Sequence, residues 1–84
     1  MKEQDLISLG FKKIEVSAEE SGDKPFYYYT LDFGTNEFSL ISNDNDDANK
    51  NGWFVEIFDY EKIRFYTYQD VSDLIRIINK GLIK

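Results

Sequence analysis

The residues FYYYTLDF at positions 26–33 form the pattern that most restricts how this chain can fold. The odd positions carry an unbroken apolar row, whereas the even positions become more polar towards Asp32. Alternation with a period of two is typical of a strand that buries one of its faces. The segment therefore predicts one strand of a sheet, and its apolar row requires a second layer that covers it.

Four further segments predict strands, and short connections separate them. They are FKKIEV, EFSLIS, WFVEIFDY and IRFYTY. Each segment places apolar side chains on a shared face: Ile14 with Val16, Phe38 with Leu40, Trp53 with Val55 and Ile57, and Ile63 with Phe65. The connections are 17–25, which holds Gly22 and Pro25, a turn at 34–36, the polar run 43–52, and a tight turn at 59–62. Consecutive strands with short connections usually pair as antiparallel neighbours. We therefore expect an antiparallel meander of about four to five strands.

Both ends of the chain predict helices. The first, KEQDLISL, is followed by Gly10 as a helix stop. In the last segment Val71, Leu74, Ile75 and Ile78 recur at the spacing of a helical stripe. Asp70 is the expected N-cap, Asp73 the expected third residue and Gly81 the expected stop. Because the stripe needs an apolar surface to cover, we expect both helices on one sheet face, in a single α+β domain spanning residues 1–84.

The composition excludes several kinds of chemistry. The chain of 84 residues has no histidine and no cysteine, so the usual neutral-pH base and the thiol nucleophile are missing. It contains neither a glycine-rich phosphate loop nor a GxSxG elbow. We therefore expect no enzyme, cofactor or metal site. A net charge of −6 repels phosphate backbones, so duplex nucleic acid is not the expected partner.

The apolar segments are short. The first residues, MKEQDLISLG, lack the apolar core of a secretory signal, and no run approaches the roughly 20 apolar residues that span a bilayer. These features predict a cytoplasmic protein without a membrane partner.

The run NDNDDANKNG at positions 43–52 resembles a calcium-binding loop only in part. Counted from Asn45, the side chains at Asp47, Asn49 and Glu56 match ligand positions, but Lys50 stands where an EF-hand requires glycine. Asn51-Gly52 is a common turn dipeptide. We therefore expect an ordinary hairpin loop without specific calcium dependence.

Six carboxylates lie in two connections that a meander brings to the same end of the sheet. The connections are 17–25 and 43–52, and the carboxylates are Glu19, Glu20, Asp23, Asp44, Asp46 and Asp47. Either these charges are only solvated, or they form a negative patch that docks on a basic surface. A patch of the second kind could imitate nucleic-acid phosphates and occupy the channel of a nuclease.

The aromatic residues are too many for one sheet face. One row covers the core under the helices, and part of the other must meet solvent or a partner. The candidates for contact in this second row are Tyr28, Phe54, Phe58 and Tyr66. They could form cross-strand pairs that stabilise the sheet, contact a protein, or stack on single-stranded bases. The basic groove that base-stacking proteins use is not evident.

Three segments, LGFKKIEV, NGWFVEIF after the acidic run, and YQDVSDLIRIINKG, give the chain a resemblance to small acidic proteins encoded by phages and mobile elements of gut-type bacteria. The resemblance implies accessory roles such as inhibition of host defence, and it transfers no functional residue. The leading hypothesis is a non-catalytic protein-binding module, in one form an inhibitor of a nucleic-acid-handling enzyme. The alternatives are an assembly component that oligomerises through a sheet edge or aromatic face, and a binder of single-stranded nucleic acid or a small ligand.

Overall fold

A computed structural model describes residues 1–34 and 38–83 of the chain. The elements, in chain order, are α1 Glu3–Ser8, β1 Lys12–Val16, α2 Ala18–Ser21, β2 Phe26–Asp32, β3 Ser39–Ser42, α3 Asn45–Asn51, β4 Val55–Ile57, β5 Tyr60–Phe65 and α4 Tyr68–Gly81. The strands form one sheet in the order β1-β2-β3-β4-β5, and every pair is antiparallel. This confirms the predicted α+β meander with a helix at each end. The turn predicted at 34–36 falls largely on residues 35–37, which lie outside the described residues.

The hydrophobic core lies between one face of the sheet and the helices α1 and α4. Leu6 of α1 and Val71 of α4 are fully buried. They belong to one cluster with inward-facing residues of three neighbouring strands, Tyr29, Leu40 and Val55. Each of these residues is supplied by the apolar row of its strand, as the period of two requires. We call this side of the sheet the covered face.

Helix α4 packs on the covered face through the predicted stripe. Val71 is buried, and Leu74, Ile75 and Ile78 are partly buried against the core cluster. Burial of the stripe removes apolar surface from water at roughly 25 cal/mol per Å², which is the main force that holds such a helix on a sheet.

The boundaries predicted for α4 were wrong at both ends. The N-cap is Thr67, whose hydroxyl oxygen accepts a hydrogen bond from the N–H of Asp70 at 3.1 Å. Asp70 therefore occupies the third helical position that was predicted for Asp73. At the other end the helix continues through Gly81 and is capped by Leu82. Thr67 caps the helix in place of Asp70 because its hydroxyl satisfies a backbone N–H and the earlier start adds a turn of helix.

Glu3 joins α1 to the covered face. Its two carboxylate oxygens accept hydrogen bonds from the hydroxyl groups of Tyr27 at 3.1 Å and of Tyr29 at 2.5 Å. Burial, and after it the hydrogen bond to Glu3, raises the pKa of Tyr29 above the ordinary value for tyrosine. Tyr27 and Tyr29, which are neighbours on the covered face of β2, thus hold the first turn of α1 against the sheet.

Two connections predicted as polar loops contain helices. In 43–52, predicted to be an ordinary hairpin loop, residues Asn45–Asn51 form α3. Asp44 caps it by accepting from the N–H of Asp47 at 2.8 Å, and Gly52, at φ 80°, ends it. In 17–25, Ser17 caps the single turn α2 by accepting from the N–H of Glu20 at 3.2 Å.

The hairpin between β4 and β5 also differs from prediction. Its turn lies at Phe58-Asp59, with Asp59 at φ 70°, rather than at 59–62. The register then shifts, because Ile57 lies opposite Tyr60 whereas Glu56 lies opposite Arg64. Residues 61–63 bulge between these two pairs. Ile63 was predicted to share the face of Phe65, but the bulge leaves it 47% exposed.

Candidate functional site

The face of the sheet opposite the helices carries the second set of apolar residues. A row of directly paired residues crosses the whole sheet on this side, and it consists of Lys12, Thr30, Ile41, Glu56 and Arg64. Paired residues and those two positions away share a face. The same side therefore also carries Ile14, Val16, Phe26 and Tyr28. None of these side chains belongs to the core cluster under the helices. We call this side the open face.

Tyr28 lies on the open face by its pairing with Ile14. Phe54, Phe58 and Tyr66 directly adjoin the ends of β4 and β5, and the alternation of those strands assigns them to the same face. The structure brings two of them together, since the rings of Phe54 and Tyr66 are 5.7 Å apart. The guanidinium of Arg64 lies 4.4 Å from the centre of the Phe54 ring. The rings of Tyr28 and Phe26 stack with their centres 6.4 Å apart. Both lie on β2, away from the pair formed by Phe54 and Tyr66.

Exposure separates the four aromatic candidates into contact and support roles. Phe58 is 59% exposed and Tyr66 is 53% exposed, so both rings can meet a partner. Tyr28 is half-buried. Phe54 is only 5% exposed, so its side chain offers almost no surface for contact. Phe54 instead supports the rings and the guanidinium that lie around it, a role that the alternation of WFVEIF could not distinguish from exposure.

An ion pair lies among these apolar residues. Arg64 Nε is 3.7 Å from Glu56 Oε2, and the Glu56 side chain is 16% exposed. That distance is too long for a hydrogen bond, and within the described chain this oxygen has no hydrogen-bond partner. The neighbouring Tyr66, and then the carboxylate of Glu56, raise the pKa of Arg64. The guanidinium is thus held by groups on both sides of it.

Phe58 lies beside a shallow pocket at one end of the open face. The pocket has a volume of about 220 Å³, and its lining includes Ile41, Glu56, Asp59 and Glu61. It combines apolar walls with carboxylates. Such a pocket suits a side chain with an aliphatic stem and a positive end, such as lysine or arginine.

The two acidic connections meet at the opposite end of the sheet. Lys24 Nζ lies 3.2 Å from Asp46 Oδ2, and the Asn45 side chain accepts from the N–H of Tyr27 at 2.8 Å. An open cleft of about 590 Å³ lies at this junction, lined by residues that include Glu20 and Phe26. The sequence gives little indication of this cleft, because the cleft forms only where α3 contacts the start of β2.

Several of the six carboxylates have local partners. Asp44 caps α3, Glu20 accepts from the Ser17 hydroxyl at 3.2 Å, and Asp46 pairs with Lys24. Asp47 accepts from the side-chain amides of Asn43 at 2.8 Å and Asn51 at 3.0 Å. The remaining two, Glu19 and Asp23, are exposed. Most of these carboxylates therefore stabilise the two connections locally. Their charges lie at this end of the sheet because the connections lie there.

The hydrogen bonds from Asn43 and Asn51 lower the pKa of Asp47, because they stabilise the charged carboxylate. Two of the positions that match a calcium loop, Asn45 and Asp47, are thus occupied by contacts to the chain itself. A third, Glu56, lies on β4 beside Arg64. Among residues 1–34 and 38–83, no three acidic, histidine or cysteine side chains are grouped to hold a metal ion.

No helix in the described part of the chain is both long enough and apolar enough to cross a bilayer. Compared with protein-family models, with curated proteins and with solved structures, the chain shows no significant match to any of them.

Proposed function

We propose that the chain is a non-catalytic protein-binding module whose partner docks on the open face of the sheet. One observation carries the proposal: both terminal helices cover the same face, and the other keeps Phe58 and Tyr66 more than half exposed beside half-buried apolar residues. Aromatic side chains of this kind supply much of the affinity at protein interfaces. Apolar surface that stays in contact with water is a driving force for association.

The partner we propose presents apolar side chains bordered by lysine or arginine. The chain carries a net charge of −6. Carboxylates border the sheet at both ends, with Asp59 and Glu61 beside the pocket at Phe58 and Asp46 at the junction with α3. A basic rim on the partner would be attracted to both ends at once. Enzymes that handle nucleic acids carry such basic surfaces, and inhibition of one is the form of the function we propose.

The test is affinity capture from the source cell followed by measurement of binding to the purified partner. The double variant Phe58→Ala/Tyr66→Ala removes the two exposed rings of the open face. We expect it to weaken binding about tenfold or more, because truncated aromatic anchors commonly cost that much. The matched control is Ile77→Ala, which removes a side chain of similar exposure (58%) from α4 on the other side of the sheet.

The outcomes separate the hypotheses. Loss of binding in the aromatic variant alone, with affinity that falls as salt is raised, supports the proposal. Equal binding by wild type and the aromatic variant overturns it, as does a loss confined to Ile77→Ala. Binding of a fluorescent single-stranded oligonucleotide at low salt that depends on Phe58 and Tyr66 would favour base stacking instead.

A further inference from the structure

Strand β1 is an edge strand with one side unpaired. Its five residues pair with β2 in continuous register from Lys12 opposite Thr30 to Val16 opposite Phe26. In the described chain β2 is the only element that makes extensive contact with it. An edge of this kind presents a row of backbone N–H and C=O groups to which another strand can pair.

The opposite edge of the sheet is less suited to pairing. Strand β5 bulges at residues 61–63, where the register with β4 shifts. Bulges twist an edge and interrupt its row of donors and acceptors, and natural sheets use them to prevent pairing. The regular edge, β1, is therefore the one available for extension of the sheet.

We propose that β1 pairs with β1 of a second copy of this chain, antiparallel and centred on Ile14. A two-fold axis perpendicular to the sheet relates such strands, and it keeps each residue on its own face. In this register Ile14 lies opposite Ile14 of the second copy. Lys13 of each copy lies opposite Glu15 of the other, which gives two cross-strand pairs of opposite charge.

The charges of β1 select this register over its neighbours. A shift that keeps the two-fold axis moves the centre by one residue along each strand. Centring on Lys13 places two lysines opposite one another, and centring on Glu15 places two glutamates opposite one another, and like charges in that position are destabilising. Lysine on an edge usually discourages pairing, but in the Ile14-centred register each Lys13 meets a carboxylate.

Lys13 and Glu15 can exchange their contact within β1 for contacts with the second copy. Lys13 Nζ lies 3.6 Å from Glu15 Oε1 of the same strand, and these side chains are 43% and 76% exposed. Lys13 Nζ also lies 4.1 Å from the centre of the Tyr27 ring on β2, so on pairing the ammonium turns from that ring towards the carboxylate of the second copy. The pairing would give a ten-stranded sheet with all terminal helices on one side. The two open faces would form a continuous surface through Ile14 and Val16.

The test is the molar mass of the full chain, measured by sedimentation equilibrium over a concentration series. We expect wild type to approach twice the chain mass of 9.9 kDa as concentration rises. Lys13→Glu and Glu15→Lys each place like charges opposite one another, and each should weaken dimerisation about tenfold or more. An equimolar mixture of the two single variants should dimerise again, because every pair across the interface then has opposite charges.

The mixture separates interface charge from damage to the fold. Lys62→Glu, on the bulged edge, is the matched control and should dimerise as wild type does. Recovery in the mixture, with each single variant monomeric and normally folded by circular dichroism, supports the pairing. A wild-type chain that stays monomeric at millimolar concentration overturns it, and so does a mixture no more dimeric than its components. Binding of a partner to the open face is measured separately and does not depend on this result.

Discussion

At the scale of single residues, Glu3 is the side chain that determines how the chain begins. Both of its carboxylate oxygens are engaged by tyrosines of β2, and the adjacent Leu6 is fully buried. A charged group hydrogen-bonded to two hydroxyls contributes more than a neutral pair would, about 1.5 to 3 kcal/mol for each bond. Glu3 therefore fixes the first turn of α1 against the sheet.

Tyr29 should resist ionisation until the protein unfolds. Its pKa in the fold is raised above the ordinary 10.0, so its stabilising contribution is complete below about pH 10 and is lost as pH rises through the folded-state pKa. The pKa of Tyr27 is raised as well, so we expect the ultraviolet absorbance of tyrosinate to show late-titrating groups, of which Tyr29→Phe removes one. Tyr68→Phe, a change at an exposed ring, is the control and should leave that late group in place. An ordinary midpoint for every tyrosine in the folded protein would contradict the prediction.

Asp47 should make stability depend on acid pH. Because its folded-state pKa is lowered, its contribution is present above about pH 4 and disappears as pH falls through the folded-state pKa. We expect Asp47→Ala to lower the melting temperature at pH 7, and the difference from wild type to narrow towards about pH 2.

The control for Asp47 is Asp46→Ala, which removes a carboxylate from the same first turn of α3 together with its exposed ion pair to Lys24, but no amide hydrogen bonds, and should have a smaller effect. An equal difference in melting temperature between wild type and Asp47→Ala at both pH values would contradict the prediction. It would mean that the two amides do not stabilise the charged form of Asp47.

At the scale of elements, α3 shows how capping can overcome poor helix propensity. Asparagine and aspartate disfavour helix interiors, and the run 43–52 is made largely of them. Asp44 caps the helix, Asp46 and Asp47 lie at its positive end, and Lys50 lies in its last turn. The side chain of Asn43 also donates to the C=O of Gly52 at 2.9 Å, which closes the connection on itself.

Helix α4 should depend on its covered stripe for stability. Leu74→Ala removes apolar atoms from a partly buried site and should cost about 2 kcal/mol, the lower end for such truncations, because the side chain is not fully enclosed. Ile77→Ala, at a 58% exposed position of the same helix, should cost no more than about 0.5 kcal/mol. Urea unfolding followed by circular dichroism measures both. Equal costs at the two positions would mean that the stripe does not face the sheet.

At the scale of the whole molecule, the five strands separate two apolar layers with different surroundings. The covered face receives α1 and α4, and the open face keeps an aromatic group with an ion pair beside it. The acidic connections lie at one end of this arrangement, and the pocket beside Phe58 lies at the other. A partner that spans the open face would therefore meet carboxylates at both of its borders.

Neutralising the acidic connections should slow association with such a partner. Of the six carboxylates Glu19, Glu20, Asp23, Asp44, Asp46 and Asp47, two have structural roles. Asp44 caps α3, and Asp47 accepts from two side-chain amides through both of its oxygens, one of which Asp47→Asn would replace with a donor. Changing all six residues would therefore also loosen this connection. The sharper variant changes only Glu19, Glu20, Asp23 and Asp46.

We expect this four-residue variant to melt close to wild type and to bind the partner with a slower on-rate and a flatter salt dependence. Stopped-flow association at several salt concentrations measures both effects. Unchanged on-rates would mean that these charges are only solvated, and the aromatic group of the open face would then carry recognition alone.

Much of the fold could be predicted because alternation and helical spacing are local. FYYYTLDF defines both faces of β2, and the stripe at Val71, Leu74, Ile75 and Ile78 defines the inward side of α4. Short connections then leave the meander as the simplest order of strands. The boundaries were less predictable, since Thr67 and Asp70 are both good caps and the difference between them is small.

The sequence by itself determined which residues of β2 and α4 share a face, the order of strands in a meander and the two terminal helices, because each depends on neighbours a few positions apart. Only the tertiary structure decided which face the helices cover, that Phe54 is buried while Phe58 and Tyr66 stay exposed, and that β1 is the regular edge. These outcomes depend on contacts between distant parts of the chain, such as Glu3 with Tyr29 and Arg64 with Phe54. An alternating pattern is compatible with either face inward, and the long-range contacts select one of them.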